Sequence, residues 1–394
     1  MKEKIAIFFG ANYPSEGLAG VARIQDMFKY ITKYEKHLIS PRKGKLLNDK
    51  FFERIYIVGQ HRSGLSVRSI LHNTHFVIRA IHSFLRNNKK SKYKVIYAAS
   101  PPFFSVLAAV ICGKLTKTPV IADVRDPWAT GLVLQGFTSK SLVCKIASIL
   151  ERFGYNSTTR IIVVTNELGK ILERGYGVPK EKITVIPNAA DIEVFKPRQL
   201  RSRMITGLPE KSIVLMYQGS FAVYHNISGL VKVFFEYLER SGREDVFLVL
   251  VGKKSRVESE SVMEKYAPLR HHLILVGEVP REEVPYYISA AHIGIVPIKR
   301  SIYSQYAIPL KLYEYAACGK PILLFGGTQE SENLIKKHEI GAISTGNVKT
   351  FQTAVETLLK RYEIFSENAI KMSKEINREN SAKSLEGIID ELVK

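Results

Sequence analysis

The stretch YAIPLKLYEYAACGKPILLF, residues 306–325, packs a helix start, a helix stop and a buried strand into one short run. Pro309 suits the first turn of a helix, where its missing N–H leaves no hydrogen bond unmade. Leu310, Leu312, Tyr313, Ala316 and Ala317 follow at helical spacing. Gly319 fits a left-handed C-terminal cap, and Pro321 prevents the helix from continuing. The run ILLF (322–325) is what a parallel sheet buries on both faces. Lys311 and Glu314 lie three residues apart near the helix start. A helix N-terminus offers free N–H groups and partial positive charge, so a lysine there strengthens an anion site. An ordinary i, i+3 ion pair on a surface helix would have the same spacing.

The same strand–helix grammar extends in both directions. Strands are predicted at 4–9, 54–59, 94–99, 118–124 and 160–165, with helical patterns at 20–34, 65–87, 102–116 and 141–153. Further strands at 212–219, 246–252, 272–277, 293–298 and 321–325 alternate with helices at 226–240, 283–290, 309–318, 329–337 and 349–361. Such alternation implies parallel sheets with helices on both faces. The Pro-, Asn- and charge-rich segment IPNAADIEVFKPRQLRSR (186–203) reads as a linker. The expected fold class is α/β, with two Rossmann-like doubly wound domains facing across a cleft. Their limits are 1–195 and 196–375, and a C-terminal helix, 376–394, packs back across the junction.

With 394 residues, 45% hydrophobic and 24% charged, the chain has the composition of a globular protein of two domains. It contains no apolar run of transmembrane length, and its start, MKEKIAIFFG, is too short for a signal peptide. Cys112, Cys144 and Cys318 are scattered and odd in number, which fits reduced thiols. The pair His72 and His75 lacks nearby carboxylates or thiolates, so no metal site is expected. Charge is distributed unevenly. Residues 1–190 hold 30 Lys+Arg against 12 Asp+Glu, and the segment 29–94 holds 16 against 3. A basic half of this kind attracts a polyanion: an anionic membrane, a phosphorylated lipid or a nucleic acid.

Four segments, in order, carry a family resemblance: YGVPKEKITVIPNAADIEVFKP (176–197), MYQGSF (216–221), LILVGEVPREEVPYYISAAHIGIVP (273–297) and PLKLYEYAACGKPIL (309–323). With ASPPFF (99–104) and ADVRDPWA (122–129), the chain resembles family-four nucleotide-sugar glycosyltransferases of the GT-B fold, in the subgroup that builds bacterial surface glycans. The resemblance implies a retaining, metal-independent transferase that needs no cofactor beyond its nucleotide-diphosphate sugar substrate. It places the ribose on Glu314 and the diphosphate on Lys311. Lys253 is a second phosphate candidate, or a solvated loop charge beside Lys254 and Arg256. Gly219 and Ser220 would let backbone approach the phosphates, and Val279, Ile308, Pro309 and Leu310 complete the donor set. The first carboxylate of the family's E-x7-E pattern falls at Tyr306, which is not acidic. The sugar contact then passes to the backbone of 305–308 or to other side chains.

On the acceptor side, Asp126 of RDPW is the catalytic candidate, with Arg125 either its structural partner or a phosphate ligand. The loop SEGLAG (15–20) would bring Gly17, Gly20 and, behind it, Arg23 toward the donor phosphates or the acceptor. Asn188 and Asp191 are expected to order the linker. FVIRAIHSFLR (76–86) and GLVLQGF (131–137) suggest a surface that rests on an anionic membrane, although a core helix would show the same pattern over 76–86. The expected protein is cytoplasmic, peripheral on the inner face of the cell membrane, and acts on a lipid-linked or glycan acceptor. A sugar-nucleotide epimerase would not need the basic first half. A nucleic-acid-binding protein would interleave basic and aromatic residues along one groove.

Overall fold

A computed structural model of the chain describes residues 2–13, 19–41, 51–59, 67–134, 136–198, 207–209, 211–221, 225–252, 264–299 and 305–394, with backbone alone for 19, 67–70 and 134. The chain forms two compact units, Met1–Pro187 with Glu379–Lys394, and Asn188–Arg378. The division falls within the stretch read as a linker.

In the first unit, β1 (Lys4–Phe9), β2 (Glu35–Ser40), β3 (Arg54–Ile57), β4 (Val95–Ser100), β5 (Val120–Val124), β6 (Arg160–Val163) and β7 (Ile183–Val185) pair in parallel in the order β3-β2-β1-β4-β5-β6-β7. Helices α1 (Ala19–Tyr30), α2 (Val67–Ser91), α3 (Phe104–Thr116), α4 (Trp128–Leu134), α5 (Leu142–Asn156) and α6 (Asn166–Tyr176) connect or flank them. Val21, Ile24 and Phe28 of α1 pack with Ile5, Ile7 and Phe9 of β1 in one apolar cluster. The final helix, Arg378–Val393, adds Ala382, Leu385, Ile388 and Ile389 to that cluster.

Strand β2, EKHLIS, was not expected from the sequence, because its polar residues mask a buried strand. Lys36 is only 6% exposed and donates to the carbonyls of Phe28 and Ile31 at the end of α1. His37 bonds to the Tyr93 hydroxyl and to Glu35.

The suggested membrane face of 76–86 is corrected by the structure. Phe76, Ala80 and Phe84 are buried, and the Phe84 ring lies 5.7 Å from that of Phe8 on β1. The apolar side of α2 is therefore a core face. The first four residues of GLVLQGF likewise belong to α4 and not to an exposed loop, and Leu132 is buried against Cys144 and Ala147 of α5.

In the second unit, β8 (Ile213–Gln218), β9 (Val246–Val251), β10 (Leu273–Gly277), β11 (Ile293–Ile298), β12 (Ile322–Gly326) and β13 (Gly341–Ser344) form a parallel sheet of order β10-β9-β8-β11-β12-β13. Alternate residues serve opposite faces, as strand pleating requires. Val214 and Met216 join one apolar cluster, whereas Leu215 and Tyr217 join the other. The flanking helices are α7 (Ile227–Ser241), α8 (Val284–Ala290), α9 (Leu310–Ala317), α10 (Gln329–His338), α11 (Val348–Lys360) and α12 (Tyr362–Glu375), so the Arg378–Val393 helix is α13. The order of the strands reverses between β8 and β11, and open α/β sheets bind ligands at the carboxyl ends of strands at such a switch point.

One buried ion pair ties the first unit together. Arg23 and Asp123 are 1% and 0% exposed, with Nε to Oδ2 at 2.7 Å and Nη2 to Oδ1 at 3.1 Å. The guanidinium also donates to the carbonyls of Ile186 and Pro187, and the Tyr97 hydroxyl donates to Asp123. Burial alone would raise the Asp123 carboxyl, but Arg23 more than compensates and holds it below its ordinary value. Removing one partner strands a buried charge, so Arg23→Ala should lower stability by about 3–5 kcal/mol in urea unfolding. A depressed carboxylate stabilises the fold above its unfolded pKa of about 3.9 and loses that contribution as pH falls through the folded value. Asp123→Asn should therefore flatten the acid limb of the stability curve.

Candidate functional site

The residues that converge at the switch point of the second sheet come from three segments. Strand β8 ends in Tyr217 and Gln218, both buried, and is followed by Gly219 with φ +126°, a conformation glycine adopts readily. The opening of α9 supplies Lys311 and Glu314. The segment before α7 supplies His225. Tyr217 pins the turn by donating its hydroxyl to the carbonyl of Ser220. Tyr315, on the inner side of α9, accepts from the N–H of Gln218 at 2.9 Å and donates to the carbonyl of Met216. Its ring fits only because position 294 is glycine, where a Cβ would come within 2.4 Å of it.

Helix α9 begins one residue later than the sequence suggested. Pro309 has ψ 139° and occupies the cap position rather than the first turn. The far end closes as expected: Lys320 N–H bonds to Tyr315 O at 3.0 Å and Gly319 N–H to Ala316 O at 2.9 Å, with Gly319 at φ +68°.

Lys311 and Glu314 are each 7% exposed, which removes the surface ion-pair reading. The Lys311 Nζ lies 3.2 Å from His225 Nε2 and 4.9 Å from the centre of the Tyr217 ring. Among the described residues no carboxylate stands within ion-pairing distance of it. Burial pushes its pKa down to about 7, and Glu314 offsets only part of this. That depression represents on the order of 5 kcal/mol against holding the charge in the empty site. Burial, then the Lys311 charge, lowers His225 to about 3, so the imidazole is neutral and can accept from the ammonium. Glu314 receives the Gln218 side-chain amide and keeps its carboxylate fixed at the carboxyl edge of the sheet.

The remaining donor candidates lie nearby in the second unit. Ser220 is exposed on the turn, and Gly219 passes so close to Lys311 that a Cβ would meet its Cε at 3.3 Å. Ile308 and Val279 belong to the same apolar cluster as Leu312, with Ile308 buried and Val279 half-buried. Pro309 and Leu310 form the half-buried entry to α9. Tyr306, 1% exposed, is part of the core. Lys253 lies outside the described residues. Sequence reasoning missed Gln218, Tyr217 and His225. The first two stood within the quoted MYQGSF, but a lone histidine in a loop carries no local signal.

In the first unit, Arg125 and Gly20 come together, since a Cβ on Gly20 would meet Arg125 Nη1 at 2.5 Å. The Arg125 guanidinium donates to the carbonyls of Ser100 and Pro101 beyond β4. Asn188 and Asp191 sit in the linker turn of the second unit, where Asp191 accepts from the N–H of Glu193. Arg23 is corrected from a phosphate-loop residue to an internal tether, for the reason given above. Gly17 lies outside the described residues. Asp126 is half-buried in the bend between β5 and α4.

What holds that bend is Glu151 of α5, fully buried, which sequence reasoning did not single out. Its carboxylate accepts from the N–H groups of Trp128 (2.6 Å) and Ala129 (3.1 Å) and from the hydroxyls of Tyr155 (2.6 Å) and Tyr176 (3.1 Å). Burial raises its pKa, and these four donors oppose the rise.

Two family descriptions match the chain. "Glycosyltransferase Family 4" covers residues 32–194 and "Glycosyl transferases group 1" covers 199–375. A Bacillus subtilis (strain 168) protein named as a teichuronic acid biosynthesis glycosyltransferase is 27% identical over 213 residues, 52% of this chain and 49% of that protein. The chain therefore spans about half the length of that relative. An Escherichia coli UDP-Gal:alpha-D-GlcNAc-diphosphoundecaprenol alpha-1,3-galactosyltransferase is 24% identical over 321 residues, 79% of this chain and 78% of that one. Among solved structures, sucrose-phosphate synthase from Thermosynechococcus elongatus superposes with TM-score 0.78 at 15% identity, covering 99% of each chain. Anabaena HepE in complex with UDP gives 0.74 at 13% identity, covering 98% of this chain and 100% of that one. These likenesses establish the GT-B fold.

Replacing Glu151 with Ala would leave two buried tyrosine hydroxyls and two part-buried N–H groups without their acceptor, the buried ones each worth about 1–3 kcal/mol. The expected result is a marked loss of thermal stability, with Glu151→Gln recovering part of it. An unchanged melting temperature in Glu151→Ala would show that the carboxylate does not hold the RDPW bend.

Proposed function

Since the chain belongs to the family-four, group 1 glycosyltransferases, we propose that it is a retaining enzyme moving a sugar from a nucleotide-diphosphate sugar to a lipid-linked acceptor in cell-surface glycan biosynthesis. The observation that carries the donor half is the buried Lys311 ammonium, set in the first turn of α9 with no carboxylate at ion-pairing distance among the described residues. Two sources of positive potential converge there, and a diphosphate relieves the strain of both. As the glycosidic bond breaks, the departing diphosphate gains negative charge, and a fixed ammonium in a dry site stabilises that change more than it stabilises the ground state. This cation is the protein's own, so the reaction as proposed uses no metal.

Glu314, oriented by Gln218, is the acceptor for the ribose hydroxyls. The backbone of 305–308, close in sequence to α9, replaces the carboxylate missing at Tyr306 as the partner of the donor sugar. On the first unit, Asp126 is the group proposed to meet the acceptor hydroxyl or the reacting sugar. The relative acting on a diphosphoundecaprenol-linked sugar supports a lipid-linked acceptor. The basic first unit supports a location on the anionic inner face of the cell membrane.

Calorimetric titration with nucleoside diphosphates tests the donor half. Glu314→Ala should weaken binding by about 10–100-fold, the loss of two charge-assisted hydrogen bonds. In the wild type, Lys311 must be charged to hold the diphosphate, and its free pKa is about 7. Affinity should therefore fall as pH rises above that value, by about tenfold per pH unit. Lys311→Met should bind weakly at every pH, and a flat wild-type profile would remove Lys311 from the diphosphate site. Asp126→Asn should lower turnover by about 100-fold or more with donor affinity unchanged, if it takes the acceptor proton.

A further inference from the structure

With the apolar side of α2 turned into the core, the exposed apolar residues of α5 remain to be accounted for. We propose that the outward face of α5, with the adjoining end of α3, is the surface by which the first unit docks onto an anionic lipid bilayer. The proposal rests on the reading of the acceptor as lipid-linked and specifies where the protein meets the lipid.

Helix α5 has two different faces. Cys144, Ala147, Glu151, Gly154 and Tyr155 are buried. Opposite them, Leu142, Ile146, Ile149 and Phe153 are 71%, 46%, 67% and 47% exposed. Their spacing of i, i+4, i+7 and i+11 places them in one narrow stripe along the helix. A soluble protein normally scatters such residues singly, and a contiguous apolar ridge marks an interaction surface.

The charges beside the ridge identify the partner. Lys145 and Arg152 are exposed along one side of the stripe, and Lys140 lies just before it. Lys114 of α3 stands over the Phe153 ring at 4.5 Å, next to Leu115, which is 64% exposed. From Pro127 to Leu150 the chain has no Asp or Glu, and α3 has none. The single carboxylate of α5, Glu151, faces inward. An apolar ridge flanked by the cations of α5 and α3 matches the headgroup–acyl boundary of an anionic membrane, where aliphatic and aromatic side chains enter and lysines meet phosphates.

The test is flotation of the full-length protein with vesicles of phosphatidylglycerol and phosphatidylethanolamine, compared with vesicles of phosphatidylcholine alone. Wild type should float with the anionic vesicles in a salt-sensitive manner. The double substitution Ile149→Glu and Phe153→Glu, at exposed positions and with an unchanged melting temperature as the expected control, should lower partitioning by about tenfold or more. Leu71→Glu with Ile78→Glu, on the outer side of α2, should not. Retained flotation of the α5 variant, or loss confined to the α2 variant, overturns the proposal. So does a result in which the α5 substitutions only convert a dimer to a monomer in analytical ultracentrifugation, since a second copy would then be the occupant. Nucleoside diphosphate binding, measured on the same variants, should be unaltered. Its absence throughout would count against the enzyme assignment without touching the lipid result.

Discussion

The second unit is organised around an unfavourable desolvation. Lys311 is held almost wholly out of water, with a neutral imidazole and an aromatic face for company and with Glu314 offsetting only part of the penalty. Such a group persists only where surrounding packing dictates it. Here the dictating parts are the short helix α9, its glycine-closed end and the Tyr315 ring inserted beneath Gly294. The first unit treats the same problem in the opposite manner. Arg23 meets a carboxylate and two carbonyls, so its charge is satisfied within the fold. One cation has been made part of the architecture, and the other is the one proposed above to await a ligand. That contrast separates structure from function more sharply than residue type does.

Much of the architecture could be read from the chain because parallel strands buried on both faces are continuous apolar runs. KIAIFF, VFLVLV and IGIVPI are strands for that reason. The strands that escaped notice broke the pattern. EKHLIS hides its polar residues in hydrogen bonds, and ITV and GAIS are short edge strands. Helix α6, NELGKILERGY, was also missed, although Thr165 caps it and Gly177 ends it.

The site was legible to a lesser degree. Lys311 and Glu314 stood out because opposite charges interrupt an apolar helix. Gln218, which aims Glu314, is ordinary in sequence and acquires its meaning only from a partner 96 residues away. Amphipathicity misled in one place. The stripe of α2 and that of α5 have the same period, and periodicity does not say which side faces water. On α2 the stripe is core. On α5 small and buried residues line the inner side while the larger aliphatics point out.

The crossing of the two glycine turns beyond β8 and β9 sets a limit on how this protein can diversify. A Cβ at Gly252 would stand 2.0 Å from the carbonyl oxygen of Gly219, so the two chains touch backbone to backbone. No side chain can be added there without forcing the strand ends apart. Variation must then arise at side chains around the crossing, not at the crossing itself. A redesign of the donor site proposed above would leave the crossing intact and vary half-buried positions such as Val279.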